Sequence, residues 1–397
     1  MSRNKIRALE DSIVIGFFIV AICLPLALLL LRGEGRPAWE NRRLTEFPHR
    51  PTNISEAVHL PRMLTEYFKD HFGLRAEMIR WQANLKVNWL KSSSSPDVLL
   101  GKDGWLFYAG EQEVELFSDA QPFTQNEMEH WKSYLEAVRD LAKENQAAFV
   151  FMILPEKQTL YPEKMPNGIV RLRAESRQDQ LIGYLRSHSD IRIVDVRPAL
   201  FAAKREQQIY FRTDTHWNDL GAFAGYQTLV QELGKDFNGM QPRTLLDFDI
   251  DKATRDGDLS GILGLHGAMT EYVLKLRPRQ LPRARFEGNC GDIGQCESQI
   301  QDASLPRVVM YRDSFSSYWV PFLAEHFSRG VYVWDTKWRL SPELIRAERP
   351  NVFVLEMIER NLMLPPPAKP RLNGEGRPSG TAESRAPRKA GAEGGKQ

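Results

Sequence analysis

The sequence predicts an α/β fold, a three-layer domain with a mostly parallel sheet, preceded by one N-terminal apolar helix. Near-continuous apolar runs of strand length alternate with stretches of helical spacing from about Thr124 to Met357. Strands that are apolar on both faces are covered by helices on both sides. The hydrophobic share of 42% over 397 residues suffices for a sizeable core. Asp214, His216 and Ser314 stand just after apolar runs. In open α/β sheets the ligand crevice lies there, at the carboxyl ends of the strands.

The elements follow in order. Ile13 to Leu31 carries no charged residue, and that length just crosses a bilayer as a helix. Arg3, Lys5 and Arg7 precede it, which keeps the amino terminus cytoplasmic and sends the rest outward. Arg32-Gly-Glu-Gly-Arg36 follows where a cleavable signal would place small residues, which favours an uncleaved anchor over a secretory signal. The expected division is a cytoplasmic N-terminus at 1–11, a transmembrane signal anchor at 12–31, a juxtamembrane linker at 32–62 and a periplasmic domain at 63–364. A tail at 365–397, reduced to Pro, Gly, Ala, Arg and Lys, is expected to be disordered. The expected location is therefore the inner membrane, crossed once, with the main domain in the periplasm.

Met63 to Leu90 has helical spacing with a break at Gly73, and the tract Ser92 to Pro96 ends it. Val98 to Tyr108 reads as a hairpin turned at Lys102-Asp103-Gly104. Thr124, with Glu127 three positions on, caps a helix running towards Asn145. Strands are predicted at Ala147 to Leu154, Ile191 to Val196, Ile209 to Phe211, Arg307 to Tyr311, Val331 to Trp334 and Val352 to Met357. Helices are predicted at Leu220 to Leu233 behind Asn218-Asp219, Tyr318 to Phe327 and Pro342 to Glu348. Between Gly239 and Pro306 the pattern weakens into an insertion that carries β structure.

The net charge of +2 gives no electrostatic case for a nucleic-acid partner, so none is expected. Of three cysteines, Cys23 lies in the apolar run, while Cys290 and Cys296 flank a short Gly-containing loop. In an oxidising compartment the pair forms a small-loop disulfide; the alternative is two free thiols. No Cys or His cluster has zinc-site spacing, so neither a metal nor a cofactor is expected.

Asp214, His216 and Ser314 have the chemistry of a charge-relay set. A serine hydroxyl is a weak nucleophile that needs a base beside it, and His fills that role near neutral pH. Asp214, two residues before His216 on extended chain, projects to the same side and can fix the imidazole tautomer. Ser314 stands between a strand and a helical pattern, near free backbone N–H groups suited to an oxyanion. Other candidates carry two readings each. Lys157, Tyr161 and Glu163 line the crevice or hold a loop; Trp217 stacks on a sugar or is buried; Glu356, Glu359 and Arg360 form a polar rim or an ion pair.

Six segments in order resemble the alginate O-acetyltransferase AlgJ/AlgX family, within the SGNH-hydrolase-like group. They are Glu40 to Pro48, Phe68 to Arg75, Gly101 to Phe107, Pro155 to Glu163, Thr213-Asp-Thr-His-Trp-Asn218 and Arg312-Asp-Ser-Phe315, so the likeness runs from about residue 40 to Leu362. The resemblance implies an SGNH-hydrolase-like domain in which Asp214, His216 and Ser314 form the catalytic triad. It implies O-acetylation of an exopolysaccharide acceptor, alginate or similar, through an acetyl-serine intermediate, with the acetyl donor supplied by a membrane-bound O-acyltransferase. Two departures from general SGNH hydrolases stand out: Arg312 replaces the Gly before the Asp-Ser pair, and the nucleophile comes last in the chain. Triads recur in several chain orders at one geometry, so the order is compatible with the reading. The alternatives are an acetylesterase of the same chemistry and a non-catalytic polysaccharide-binding scaffold of an export complex.

Overall fold

A computed structural model describes residues 3–32, 44–335 and 338–369. Its centre is a seven-stranded sheet. The strands of the chain are β1 (Val98–Leu100), β2 (Leu106–Tyr108), β3 (Ala148–Leu154), β4 (Ile193–Val194), β5 (Phe248–Asp256), β6 (Thr270–Pro278), β7 (Arg285–Glu287), β8 (Gly294–Gln299), β9 (Arg307–Arg312), β10 (Arg329–Trp334) and β11 (Val352–Ile358). The central sheet has the order β4-β3-β11-β9-β10-β8-β7; β1 pairs with β2 and β5 with β6.

Alternation of side chains explains the continuous apolar runs. In β3, Val150, Met152 and Leu154 enter one core cluster while Phe149, Phe151 and Ile153 enter another. β9 divides likewise, with Val308 and Met310 against Val309 and Tyr311. The first face packs on the helix Asp219–Leu233 through residues such as Leu229 and Val230. The second packs on the helices Gln125–Glu144 and Arg177–His188 through Leu135, Val138 and Leu181. The three layers are thus a direct product of period-two geometry. Each large side chain fully buried there contributes about 1.5–3 kcal/mol of transfer free energy.

The sheet is mixed: most of its strands are parallel, as expected, and an antiparallel edge is added to them. β4, β3, β11, β9 and β10 run parallel, but β8 pairs antiparallel with β10 and β7 antiparallel with β8. Both added strands come from the 239–306 insertion, whose polar residues suit an exposed edge better than a covered centre. The strand expected at Ile209 to Phe211 is also replaced. Only an isolated bridge joins Tyr210 to Trp217, and the segment folds back on itself through Phe211 N–H to His216 O (3.2 Å) and Asn218 N–H to Ile209 O (2.9 Å). Short helical turns occupy Phe315–Tyr318, Val320–Leu323 and Ala324–His326 in place of one helix.

Several local signals act as read. The Thr124 hydroxyl and the Glu127 carboxylate cap reciprocally, and Asn218 accepts from the N–H groups of Leu220 and Gly221. The hairpin turn puts Asp103 and Gly104 at φ 55° and 76°. Cys290 and Cys296 form a disulfide. At the amino end, Arg3–Arg32 is a single helix with Pro25 inside it, and a further helix begins at Ile54, within the expected linker. Among the described residues no helix is long and apolar enough to cross a membrane, so the span expected at 12–31 is not shown. The leucines at 26 and 29–31 carry much of that run's hydropathy, and their side chains lie outside the described set, as do residues 33–43 and the tail from 370 on.

Candidate active site

The site lies beyond the carboxyl ends of β9, β11 and β3. β9 ends at Arg312, and the chain turns through Asp313 and Ser314 into the helical turn Phe315–Tyr318. Asp313 holds this corner: its carboxylate accepts from the N–H of Phe315 (2.9 Å) and of Ile358 at the end of β11 (2.6 Å). Glu356 of β11 accepts from the Asp313 N–H (3.1 Å) and the Ser316 hydroxyl (2.6 Å). Both acids are buried, and burial, with each other's charge, raises the Glu356 carboxyl far above its ordinary range. No acceptor is found for the Ser314 N–H among the described residues, which leaves it free to donate to a developing oxyanion.

The Ser314 hydroxyl lies 2.8 Å from His216 Nε2. His216 Nδ1 lies 2.7 Å from Asp214 Oδ1, which also accepts the His216 N–H at 3.0 Å. The imidazole packs against Phe315 and Tyr318, with centroids 4.8 and 5.7 Å away. All three residues of the set therefore meet in one hydrogen-bonded line. Asp214 is buried, which opposes its charge, but the hydrogen bond from His216 and the charges of His216 and Arg255 hold its carboxyl well below the usual range. Arg255 Nη2 sits 2.5 Å from Asp214 Oδ2, with its guanidinium over the Phe211 ring.

The loop that carries Asp214 and His216 is clamped from three directions. Lys157, buried just after β3, directs Nζ at the carbonyls of Phe211 (3.2 Å), Arg212 (3.3 Å) and Asp214 (2.7 Å). Burial lowers its ammonium to about 8, against the pull of Asp258 and Asp214. Glu271 of β6 accepts from the N–H groups of Arg212 and Thr213 and from the Thr213 hydroxyl. Asp258, opening the helix Asp258–Ile262, accepts from the N–H (2.8 Å) and hydroxyl (2.6 Å) of Thr215.

Asp214, His216 and Asp258 bring ligand-type atoms within 4.8 Å of one another. The donors a cation needs are already engaged: Nδ1 with Asp214, Nε2 with Ser314, and the outer Asp214 oxygen with a guanidinium. This donor set suits a proton relay. Beside it a cleft of about 470 Å³ shares Ser317 and Tyr318 with the Ser314 turn and reaches Lys275, Arg243, Phe286 and Phe322.

Residues 98–336, more than half of the chain, match the family described as SGNH hydrolase-like domain, acetyltransferase AlgX. The chain belongs to this family. Among its relatives, the probable alginate O-acetylase AlgJ of Pseudomonas syringae pathovar tomato is 26% identical over 293 residues, 72% of this chain and 70% of that protein. The probable alginate O-acetylase AlgJ of Pseudomonas aeruginosa is 28% identical over 270 residues, 64% of this chain and 65% of its own length. The solved structure of Bacillus cereus PatB1 with a sulfonyl adduct is 17% identical, with a TM-score of 0.50 over 67% of this chain and 97% of that one. That likeness concerns the fold.

The two-way readings from the sequence resolve against the crevice. Lys157 holds the loop, the Tyr161 hydroxyl accepts the Ile209 N–H at 2.9 Å, and Glu163 pairs with Lys204 at 2.9 Å. Trp217 is buried, donating from Nε1 to the Phe315 carbonyl at 2.9 Å. Glu356 braces the Ser314 corner, Glu359 accepts from the Glu156 N–H, and Arg360, half-buried, pairs with Glu113 and Glu156. Arg255, Glu271 and Asp258 are absent from the sequence reading. Their one local signal is the turn Asp256-Gly-Asp258 ahead of a short apolar run; their partners lie about forty to sixty positions away.

Proposed function

We propose that this chain is a serine-dependent O-acetyltransferase that acetylates an exopolysaccharide, alginate or a similar polymer. The observation that carries the reading is the continuous line from Asp214 through His216 to Ser314, with separations of 2.7 and 2.8 Å, in a chain of the AlgX family. In the first half-reaction Ser314 Oγ attacks the acetyl carbonyl of the donor while His216 Nε2 takes the hydroxyl proton. Asp214 accepts the Nδ1–H and stabilises the imidazolium, and the Ser314 N–H receives the oxyanion. The carbonyl re-forms, the donor's leaving group departs with the proton from His216, and acetyl-serine remains.

In the second half-reaction a sugar hydroxyl gives its proton to His216 and attacks the acetyl-serine carbonyl. The Ser314–acetyl bond breaks, Oγ recovers the proton, and the acetyl ester rests on the sugar. The cleft beside Tyr318 offers aromatic faces with Lys275 and Arg243, a lining suited to a sugar chain. The donor is a membrane-bound O-acyltransferase and the site of action is the periplasm; the Cys290–Cys296 disulfide supports an oxidising compartment.

The purified protein is tested with an activated acetyl ester and an oligosaccharide acceptor. Ser314→Ala is expected to fold normally and lose at least about a thousandfold in transfer, and a serine-directed fluorophosphonate is expected to label only Ser314. Full transfer by the alanine variant would overturn the mechanism. Acetate release with no acetylated sugar would turn the reading to an acetylesterase.

A further inference from the structure

The helix Arg75–Asn84 runs on through the wider turn Leu85–Trp89, and its two faces differ. Ala83 and Val87 are buried against Val98, Leu106, Leu259 and Leu263, which fixes the helix to the domain. The opposite face presents Met78, Trp81, Leu85 and Trp89, with both tryptophans at least three-quarters exposed. These are large apolar side chains at helical spacing with nothing of the described protein over them. Between 75 and 91 the basic residues Arg75, Arg80, Lys86 and Lys91 face one acid, Glu77. A basic helix with tryptophan on its apolar side suits the boundary between lipid headgroups and acyl chains.

Two further observations select the occupant. The Gly73 N–H donates to the Pro25 carbonyl at 3.1 Å, so the helix Arg3–Arg32 meets the chain at the start of this face. Val14, Ile15, Phe17, Phe18, Ile19 and Val20 of that helix are all exposed, on every side of its axis. A helical stretch apolar all round from Val14 to Val20 and a helix with an uncovered tryptophan face, joined at one point, call for one continuous apolar medium. A cleft of about 620 Å³ lined by Phe72, Leu74, Met78 and Trp81 lies in the same surface. We propose that the Met78–Trp81–Leu85–Trp89 face docks on a phospholipid surface with anionic headgroups, as a second contact that orients the domain on the bilayer. This inference is independent of the catalytic reading.

The test uses the full chain with Cys23→Ser and the native disulfide intact. A nitroxide is attached through Met78→Cys or Leu85→Cys, both exposed positions, and through Tyr272→Cys, which is 83% exposed on β6. On vesicles of phosphatidylethanolamine with phosphatidylglycerol, the labels at 78 and 85 are expected to lose about tenfold of their accessibility to an aqueous nickel complex, while the label at 272 keeps its own. Replacing Arg80, Lys86 and Lys91 with Gln is expected to weaken the protection by roughly fivefold per charge. Labels at 78 and 85 that stay as accessible as that at 272 in vesicle-bound protein would overturn the proposal. So would mutual broadening of these labels in vesicle-free protein, which would assign the face to a second copy.

Discussion

Arg255 sets this triad apart from a simple Ser-His-Asp line. Its guanidinium holds the oxygen of Asp214 that His216 does not use, so the carboxylate divides its charge between imidazole and guanidinium. Coulomb attraction to a cation at that range is substantial in a half-buried setting. Removing it returns negative charge to the His216 side. Arg255→Gln is therefore expected to lower the rate about tenfold, because the Asp214 carboxylate and the loop that carries it lose an anchor. Steady-state kinetics of the purified variant check this; an unchanged rate would show that Lys157, Glu271 and Asp258 hold the loop without Arg255.

At the scale of elements, the Asp214–His216 loop depends on a close backbone approach. A Cβ on Gly257 would lie 2.0 Å from the Thr213 carbonyl oxygen and 2.6 Å from the Asp214 nitrogen, both backbone atoms. The Thr213 carbonyl accepts there from the N–H groups of Leu259 and Ser260. Gly257→Ala is expected to cost about 2 kcal/mol in denaturant unfolding and more than tenfold in acetyl transfer, since the loop must withdraw from Ser314. A variant with unchanged kinetics would show that the loop can yield without moving His216. Such an approach is invisible in sequence, whereas the hairpin at 98–108, the Thr124 cap and the apolar runs of β3, β9 and β11 were legible because each is decided by neighbours along the chain. The insertion was read as carrying β structure, but the places of the short strands β7 and β8 were not legible, because pairing of β8 with β10 and of β7 with β8 builds them from a polar stretch. Asp214, His216 and Ser314 were legible through the ordered motifs that carry them, and Lys157 as a residue that lines the crevice or holds the loop; Asp258, Glu271 and Arg255 were not, because their roles arise from contacts between distant positions.

For the molecule as a whole, acid stability turns partly on His326. Its Nε2 lies 2.7 Å from the Tyr226 hydroxyl, and burial, with the positive charges of Arg243 and Arg283, lowers it to about 4, against the pull of Glu325. The unfolded chain takes up the proton near 6.5 and the folded one near 4, so stability is full above 6.5 and falls as the pH drops between these values. The loss is about 3 kcal/mol, and His326→Gln is expected to flatten it in urea unfolding across that window. The disulfide ties stability to the site in a different way. The Cys290 carbonyl accepts from Arg312 Nη2 at 2.6 Å and from the Ser317 hydroxyl at 3.0 Å, and these two residues flank the corner that presents Ser314. Opening so small a ring costs about 2 kcal/mol in chain entropy, yet the released loop also removes the acceptor that holds both donors. Buried Arg312 then keeps fewer partners, and the corner gains freedom where the Oγ to Nε2 distance is set. Cys290→Ala/Cys296→Ala is accordingly expected to stay folded at room temperature and to lose about tenfold in acetyl transfer, with a matching loss when the parent protein is reduced with dithiothreitol and none when the variant is. Equal activity of reduced and oxidised parent protein would separate the disulfide from the catalytic corner and leave it a purely structural staple.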